Sequence, residues 1–164
     1  MTITVAGSNI TYSDGTIQSS GVSFTGNNST QAIRLTNASE AANLVSTAIG
    51  ANTTLWLANG AVQFYTSNAG ANTTVNITWS SSNTINSVMN VGDSITTAMM
   101  FTNGSTAYWP NVYQIDGTAA VPKWQGGTAP TGGNASGIDA YTFTIIKTAA
   151  TPTYTFLASQ SQFK

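Results

Sequence analysis

Charge is nearly missing from this chain. Only 5% of its 164 residues are Asp, Glu, Lys or Arg, where an ordinary soluble domain carries roughly 25%. The net charge is −1, so copies repel one another weakly, and a net charge near zero favours association. Such a surface suits a chain that packs into a symmetric assembly; a secreted domain with an uncharged polar surface is the alternative. The four basic residues, Arg34, Lys123, Lys147 and Lys164, are too few and too scattered for a nucleic-acid footprint.

Cysteine and histidine are absent altogether. Without Cys there is neither a disulfide nor thiolate chemistry. Without His the commonest general base and metal ligand is gone. Five carboxylates, Asp14, Glu40, Asp93, Asp116 and Asp139, lie far apart along the chain. A pair of them meeting in the fold is the one remaining route to acid–base chemistry. An Asp before Gly, as in Asp14-Gly15 and Asp116-Gly117, reads instead as a turn residue bonding its own backbone. No nucleophile elbow, phosphate loop or zinc-ligand spacing is present. Ser161-Gln-Phe-Lys164 matches Ser-x-x-Lys with no supporting motif, and nothing resembles an EF-hand loop. The expectation is a non-enzymatic protein with no catalytic residues, no cofactor and no metal.

Long apolar runs are missing too. No stretch approaches the ~18 residues that span a bilayer, so no membrane insertion is expected. The start, Met1 to Gly7, lacks a basic region followed by an apolar one, so no signal peptide is expected. Sequons such as those at Asn52 and Asn72 then read as unused products of an Asn/Thr-rich composition.

What the chain does have is strands. Runs of Thr, Val, Ile and aromatics alternate with Gly/Asn/Asp turns at the spacing of a sandwich or barrel. Thr53–Leu57 and Val62–Thr66 flank Asn59-Gly60, and Ser94–Phe101 and Thr106–Trp109 flank Asn103-Gly104. Asn-Gly between two such runs predicts a hairpin. Tyr141–Lys147 and Thr153–Leu157 surround a break at Pro152; in the first, Tyr141, Phe143 and Ile145 share one face and Thr142, Thr144 and Ile146 the other. Asn37-Ala-Ser-Glu40 with an apolar stretch to Ile49 and Gly50 after it predicts one short helix around residues 38–49. Gly50-Ala-Asn-Thr-Thr54 recurs as Gly70-Ala-Asn-Thr-Thr74, read as one turn chemistry used twice, in successive hairpin arms.

Aromatics cluster near the Pro/Gly-rich segment from Pro110 to Gly137: Tyr108, Trp109, Tyr113 and Trp124. Core or subunit-interface packing is the first reading of these rings. The functional reading is a carbohydrate site formed by Trp109, Tyr113, Trp124 and Gln125, with Asn111, Gln114 and Asp116 as further hydrogen-bonding groups.

Two stretches carry a resemblance. Asn9-Ile-Thr-Tyr-Ser-Asp-Gly-Thr-Ile-Gln-Ser-Ser20 resembles an element of phage tail-fibre and related virion proteins. Phe101–Ser105, Tyr113–Gly117, Pro122–Gly127 and Ile138–Lys147, through to Leu157–Gln160, are similar to a C-terminal module of structural proteins from tailed phages, cyanophages in particular. The resemblance covers about half the chain. It implies a virion component, often on an external appendage, commonly trimeric, and it brings no catalytic residues.

The sequence therefore predicts an all-β fold, an antiparallel β-sandwich of jelly-roll-like character. It predicts a single domain over residues 1–164, with residues 1–25 as an N-terminal arm used in assembly. The leading function is a tail-fibre or appendage protein of a virion, forming a homotrimer, touching other virion proteins and contacting a host surface glycan. The alternatives are a capsid decoration (cement) protein and a carbohydrate-binding module.

Overall fold

The computed structural model describes Ser39–Lys164, together with the short segments Ile10–Thr11 and Ile17–Gln18. The chain divides into two compact units, Met1–Ala38 and Ser39–Lys164. In the first unit, β1 (Ile10–Thr11) and β2 (Ile17–Gln18) pair antiparallel, with Thr11 opposite Ile17. The rest of the arm expected over residues 1–25 lies outside the described residues.

The second unit is all-β and holds two sheets. Its strands are β3 (Asn43–Val45), β4 (Asn52–Trp56), β5 (Val62–Asn68), β6 (Thr73–Thr78), β7 (Ser94–Thr102), β8 (Pro110–Ile115), β9 (Thr118–Ala119), β10 (Lys123–Trp124), β11 (Ile138–Ala149) and β12 (Thr153–Phe163). One sheet runs β10-β12-β11-β7-β5-β3 and the other β4-β6-β8-β9.

Both sheets are mixed, which corrects the antiparallel expectation. From β3 to β8 the chain changes sheet at every strand. Thus β3, β5 and β7 pair in parallel in one sheet, and β4, β6 and β8 pair in parallel in the other. Each circuit adds one rung to both sheets. The antiparallel pairs come afterwards, in β8–β9, β7–β11 and β11–β12.

This path explains why two Asn-Gly steps are not hairpin turns. A type I′ turn needs positive φ at both central residues. At Asn59-Gly60 only Gly60 has it (φ 131°), and at Asn103-Gly104 neither residue does. Each step passes the chain from one sheet to the other instead. A Cβ on Gly60 would also lie 3.2 Å from the Ala41 carbonyl oxygen. The type I′ dihedrals appear at Asp116-Gly117, with φ 50° and 78°, between β8 and β9.

The repeated Gly-Ala-Asn-Thr-Thr is likewise not two hairpin arms but two stacked rungs. The Thr73 hydroxyl donates to that of Thr53 at 2.9 Å in a buried position. The Gly70 N–H donates to the Ile49 carbonyl and the Thr74 N–H to that of Ala51, at 2.8 and 2.9 Å. The strands that follow the two copies pair Asn52 with Thr74, so this circuit is close to the spacing of the repeat.

The helix expected over residues 38–49 is also corrected. Within the described part, the chain forms β3, with Leu44 69% exposed. Glu40 closes no capping box; its Oε1 accepts from the Ala61 N–H at 3.1 Å. A parallel neighbour in β5 satisfies the backbone here, and the β-branched Val45 suits that conformation. Among the described residues the one α-helix, α1, is a single turn, Ile85–Val88, capped reciprocally by Thr84 and Ser87.

Inward side chains of both sheets meet in one core. Leu55, Ile77 and Ile115 form a rung across the smaller sheet. Tyr141, Phe143 and Ile145 alternate inward along β11, each 0% exposed, while Thr142 is exposed. The Phe143 ring meets Tyr113 of the opposite sheet edge-on at 5.8 Å and Phe156 at 5.8 Å. Among the described residues no helix is long and apolar enough to cross a membrane.

Candidate functional site

Of the residues the sequence singled out for sugar binding, Tyr113 and Trp124 come together and Trp109 does not join them. Tyr113 is buried in the core, its phenol donating to the Pro110 carbonyl at 2.7 Å, and burial pushes its pKa well above the ordinary value. Trp124 is half-buried and packs edge-on against Tyr113 and Tyr141, at 5.6 and 6.4 Å. Trp124 and exposed Gln125 border a groove of about 330 Å³ with Thr142, Thr144 and Leu157. Trp109 is half-buried at the entry to β8, where its backbone N–H donates to Asn72 Oδ1 at 3.0 Å.

A second cleft, about 500 Å³, lies at the end of the two sheets. Its walls come from α1 (Asn86), the β8–β9 turn (Asp116), and the start of β12 (Tyr154), with Ile115, Phe156 and Pro152 as apolar lining. Asp116 is fixed from three sides. Its carboxylate accepts from the Thr78 hydroxyl at 2.8 Å, the Ile85 N–H at 2.8 Å and the Asn86 N–H at 3.0 Å. The bonds that the Asp-Gly reading assigned to the local backbone therefore run to another part of the fold. The Asn86 carbonyl accepts from Lys147 Nζ at 2.9 Å, so this residue is held at both backbone atoms.

Two polar atoms of cleft residues are left over. Asn86 Oδ1 and the Tyr154 hydroxyl are buried without a hydrogen-bond partner among the described residues. Burial, and then the nearby Asp116 carboxylate, push the Tyr154 phenol up from its ordinary value. It stays protonated at neutral pH and remains a donor. Sequence reasoning named Asp116 only as a turn residue with an auxiliary role and missed Asn86 and Tyr154, because the three come from distant segments with no shared spacing.

A third polar centre surrounds Asp139, which is 0% exposed. Its Oδ2 accepts from the Asn134 N–H at 2.9 Å and from Asn103 Nδ2 at 3.1 Å, while Oδ1 has no partner among the described residues. Asn103 also ties the Tyr108 N–H and carbonyl, at 3.1 and 3.0 Å. Gly133 is needed here: an added Cβ would lie 2.8 Å from Asp139 Oδ2, 2.9 Å from Asn103 Nδ2 and against the Tyr108 carbonyl.

Burial pushes the Asp139 carboxyl up, against the hydrogen bonds that lower it. An acid whose folded pKa is raised binds more protons in the folded state, so its contribution to stability falls as pH rises from the unfolded value through the folded one. Asp139→Asn removes that titration. The stability of the variant relative to wild type should therefore rise with pH through the carboxylate range, and denaturant unfolding between about pH 3.5 and 7 checks it. A difference that stays flat, or falls, contradicts the assignment.

No protein-family model, curated protein or solved structure matches this chain.

Proposed function

We propose that the chain is a non-enzymatic structural protein of a virion, of the tail-fibre or appendage type, working as a homotrimer. In this reading Ser39–Lys164 is a two-layer β-sandwich whose outer surface lies against identical copies and other virion proteins. The observation that carries it is where the few charges go. Seven charged side chains fall within this unit: Glu40, Asp93, Asp116, Lys123, Asp139, Lys147 and Lys164. Five of them bond the chain's own backbone. Glu40 holds Ala61, Asp93 holds Asn90, Asp116 holds Ile85 and Asn86, Asp139 holds Asn134, and Lys147 holds the Asn86 and Met89 carbonyls.

Asp139 and Lys147 are buried, and the four exposed charges, Glu40, Asp93, Lys123 and Lys164, are so sparse that the outer faces consist mainly of hydroxyls, amides and scattered apolar groups. Val121 is 90% exposed, Leu44 69% and Phe163 55%. Interface cores are depleted in charged residues, so this composition favours burial against neighbours. It also supports the non-enzymatic reading, since each described carboxylate serves as an internal clasp. The resemblance to phage structural proteins supplies the particle. Electron microscopy of purified particles labelled with an antibody to the chain tests it. Label on an external appendage is the expected result; particles that carry no label overturn the reading.

A further inference from the structure

We propose that the outer face of the six-stranded sheet is the surface on which a second copy of this chain docks. The inference rests on the assembly reading above and gives it a location. Strand register sets out the face row by row. Leu44, Phe64, Met100 and Ala140 stand side by side across β3, β5, β7 and β11. Their neighbours along the strands, among them Tyr65, Met99 and Tyr141, are buried in the core, so alternation turns this apolar row outward. Leu157 and Phe163 of β12, 40% and 55% exposed, and Leu44, 69% exposed, carry apolar surface to both sides of the sheet. Contiguous exposed apolar surface of this kind marks an interaction site.

Charge decides which partner fits. β11 carries two charges, Asp139 and Lys147, and both fall on its buried side. None of the outward positions of β3, β5, β7, β11 and β12 is charged. Lys123, opposite Leu157 on the edge strand β10, is the one charge on this face among the described residues. A partner that binds through its charges finds nothing to pair with here, whereas a copy of the chain brings the same uncharged face. Near a symmetry axis a residue meets its own copies, so any charge there would face its like. The Thr96 and Thr144 hydroxyls already share a hydrogen bond at 2.9 Å, which lessens the cost of drying the face. The smaller sheet differs, since its outward row of Thr54, Asn76 and Gln114 is polar throughout and costly to dry.

The extent is also adequate. At roughly 4.8 Å between strands and 3.4 Å per residue, the six strands present roughly 700 Å² of flat area. A standard interface takes about 800 Å² of accessible surface from each partner, and side-chain relief brings the face to that size.

Sedimentation velocity of the intact protein at micromolar concentration tests the proposal. Thr142→Lys puts a charge in the middle of the face, at an exposed position of β11. Leu157→Lys puts one at a site already 40% exposed. Both variants should fold, which far-UV circular dichroism and the urea midpoint check. Gln114→Lys places the same charge on the smaller sheet. Wild type and Gln114→Lys should sediment as trimers, and the other two variants should need at least about tenfold higher concentration to assemble. Folded Thr142→Lys and Leu157→Lys proteins that assemble like wild type, the result expected if a different protein covers this face, overturn the inference and leave the assembly reading standing. A Gln114→Lys protein that dissociates as readily as they do overturns it as well. A wild type that sediments as a monomer overturns both.

Discussion

Phe143→Ala is expected to lower the unfolding free energy by about 3–5 kcal/mol, the range for a large aromatic removed from a core. Phe143 is 0% exposed and its ring touches Tyr113, Tyr141 and Phe156. Tyr113 belongs to the smaller sheet and the other three to the larger, so the ring joins the two layers. The site collapses poorly, because its neighbours are themselves buried rings on fixed strands. Total stabilities of single domains are only about 5–15 kcal/mol, so the loss is a large share. Urea unfolding followed by near-UV absorption of the aromatics measures it. A loss below about 1 kcal/mol would mean that the layers do not depend on this contact.

Asp116→Ala is expected to cost about 3–4 kcal/mol by two separable routes. It strips the acceptor from the Ile85 and Asn86 N–H groups and from Thr78, and hydrogen bonds to a charged group contribute about 1.5–3 kcal/mol. It also puts Ala at φ 50°, a left-handed conformation that an ordinary side chain resists by about 1–2 kcal/mol. Asp116→Gly relieves only the second, and Asp116→Asn keeps one acceptor oxygen and tolerates the backbone. Stability should therefore rank Asp, then Asn, then Gly, then Ala. Amide exchange at Ile85 and Asn86 should quicken in the Gly and Ala variants. Equal losses for Gly and Ala would show that the backbone conformation carries no strain.

The same residues show what the sequence could disclose. The inward row Tyr141, Phe143, Ile145 was legible because alternation is a local property, and the structure buries those three. The partnership of β11 with β12 across Pro152 is equally local. Asn59-Gly60 and Asn103-Gly104 misled for the opposite reason. Turn chemistry constrains two residues, whereas the sheet that receives the next strand depends on the whole circuit. Here both segments after those steps cross to the facing sheet, and pairing falls to strands about twenty or more residues away. The repeat at Gly50 and Gly70 was the visible trace of that circuit, but two copies suggested only a reused turn.

The helix assigned to residues 38–49 failed because capping-like spacing carries little weight against a parallel neighbour able to pair β3. The helix that does form escaped notice because its reciprocal cap uses Ser87 in place of Glu or Gln. At the candidate sites, Tyr113 and Trp124 pack edge-on, and Tyr113 faces inward. The cleft of Asn86, Asp116 and Tyr154 had no sequence signature at all. Its members are juxtaposed by the end of a sheet, a hairpin turn and one helical turn.

The central claim is that a surface so poor in charge is a surface for self-association. Light scattering on the purified protein at micromolar concentration tests it most directly, run in roughly 50 mM and 1 M salt. The account predicts a particle of three 17.0 kDa chains at both salt concentrations, because hydroxyls, amides and apolar groups hold it rather than ion pairs. A monomer, or a trimer that dissociates in high salt, would contradict it.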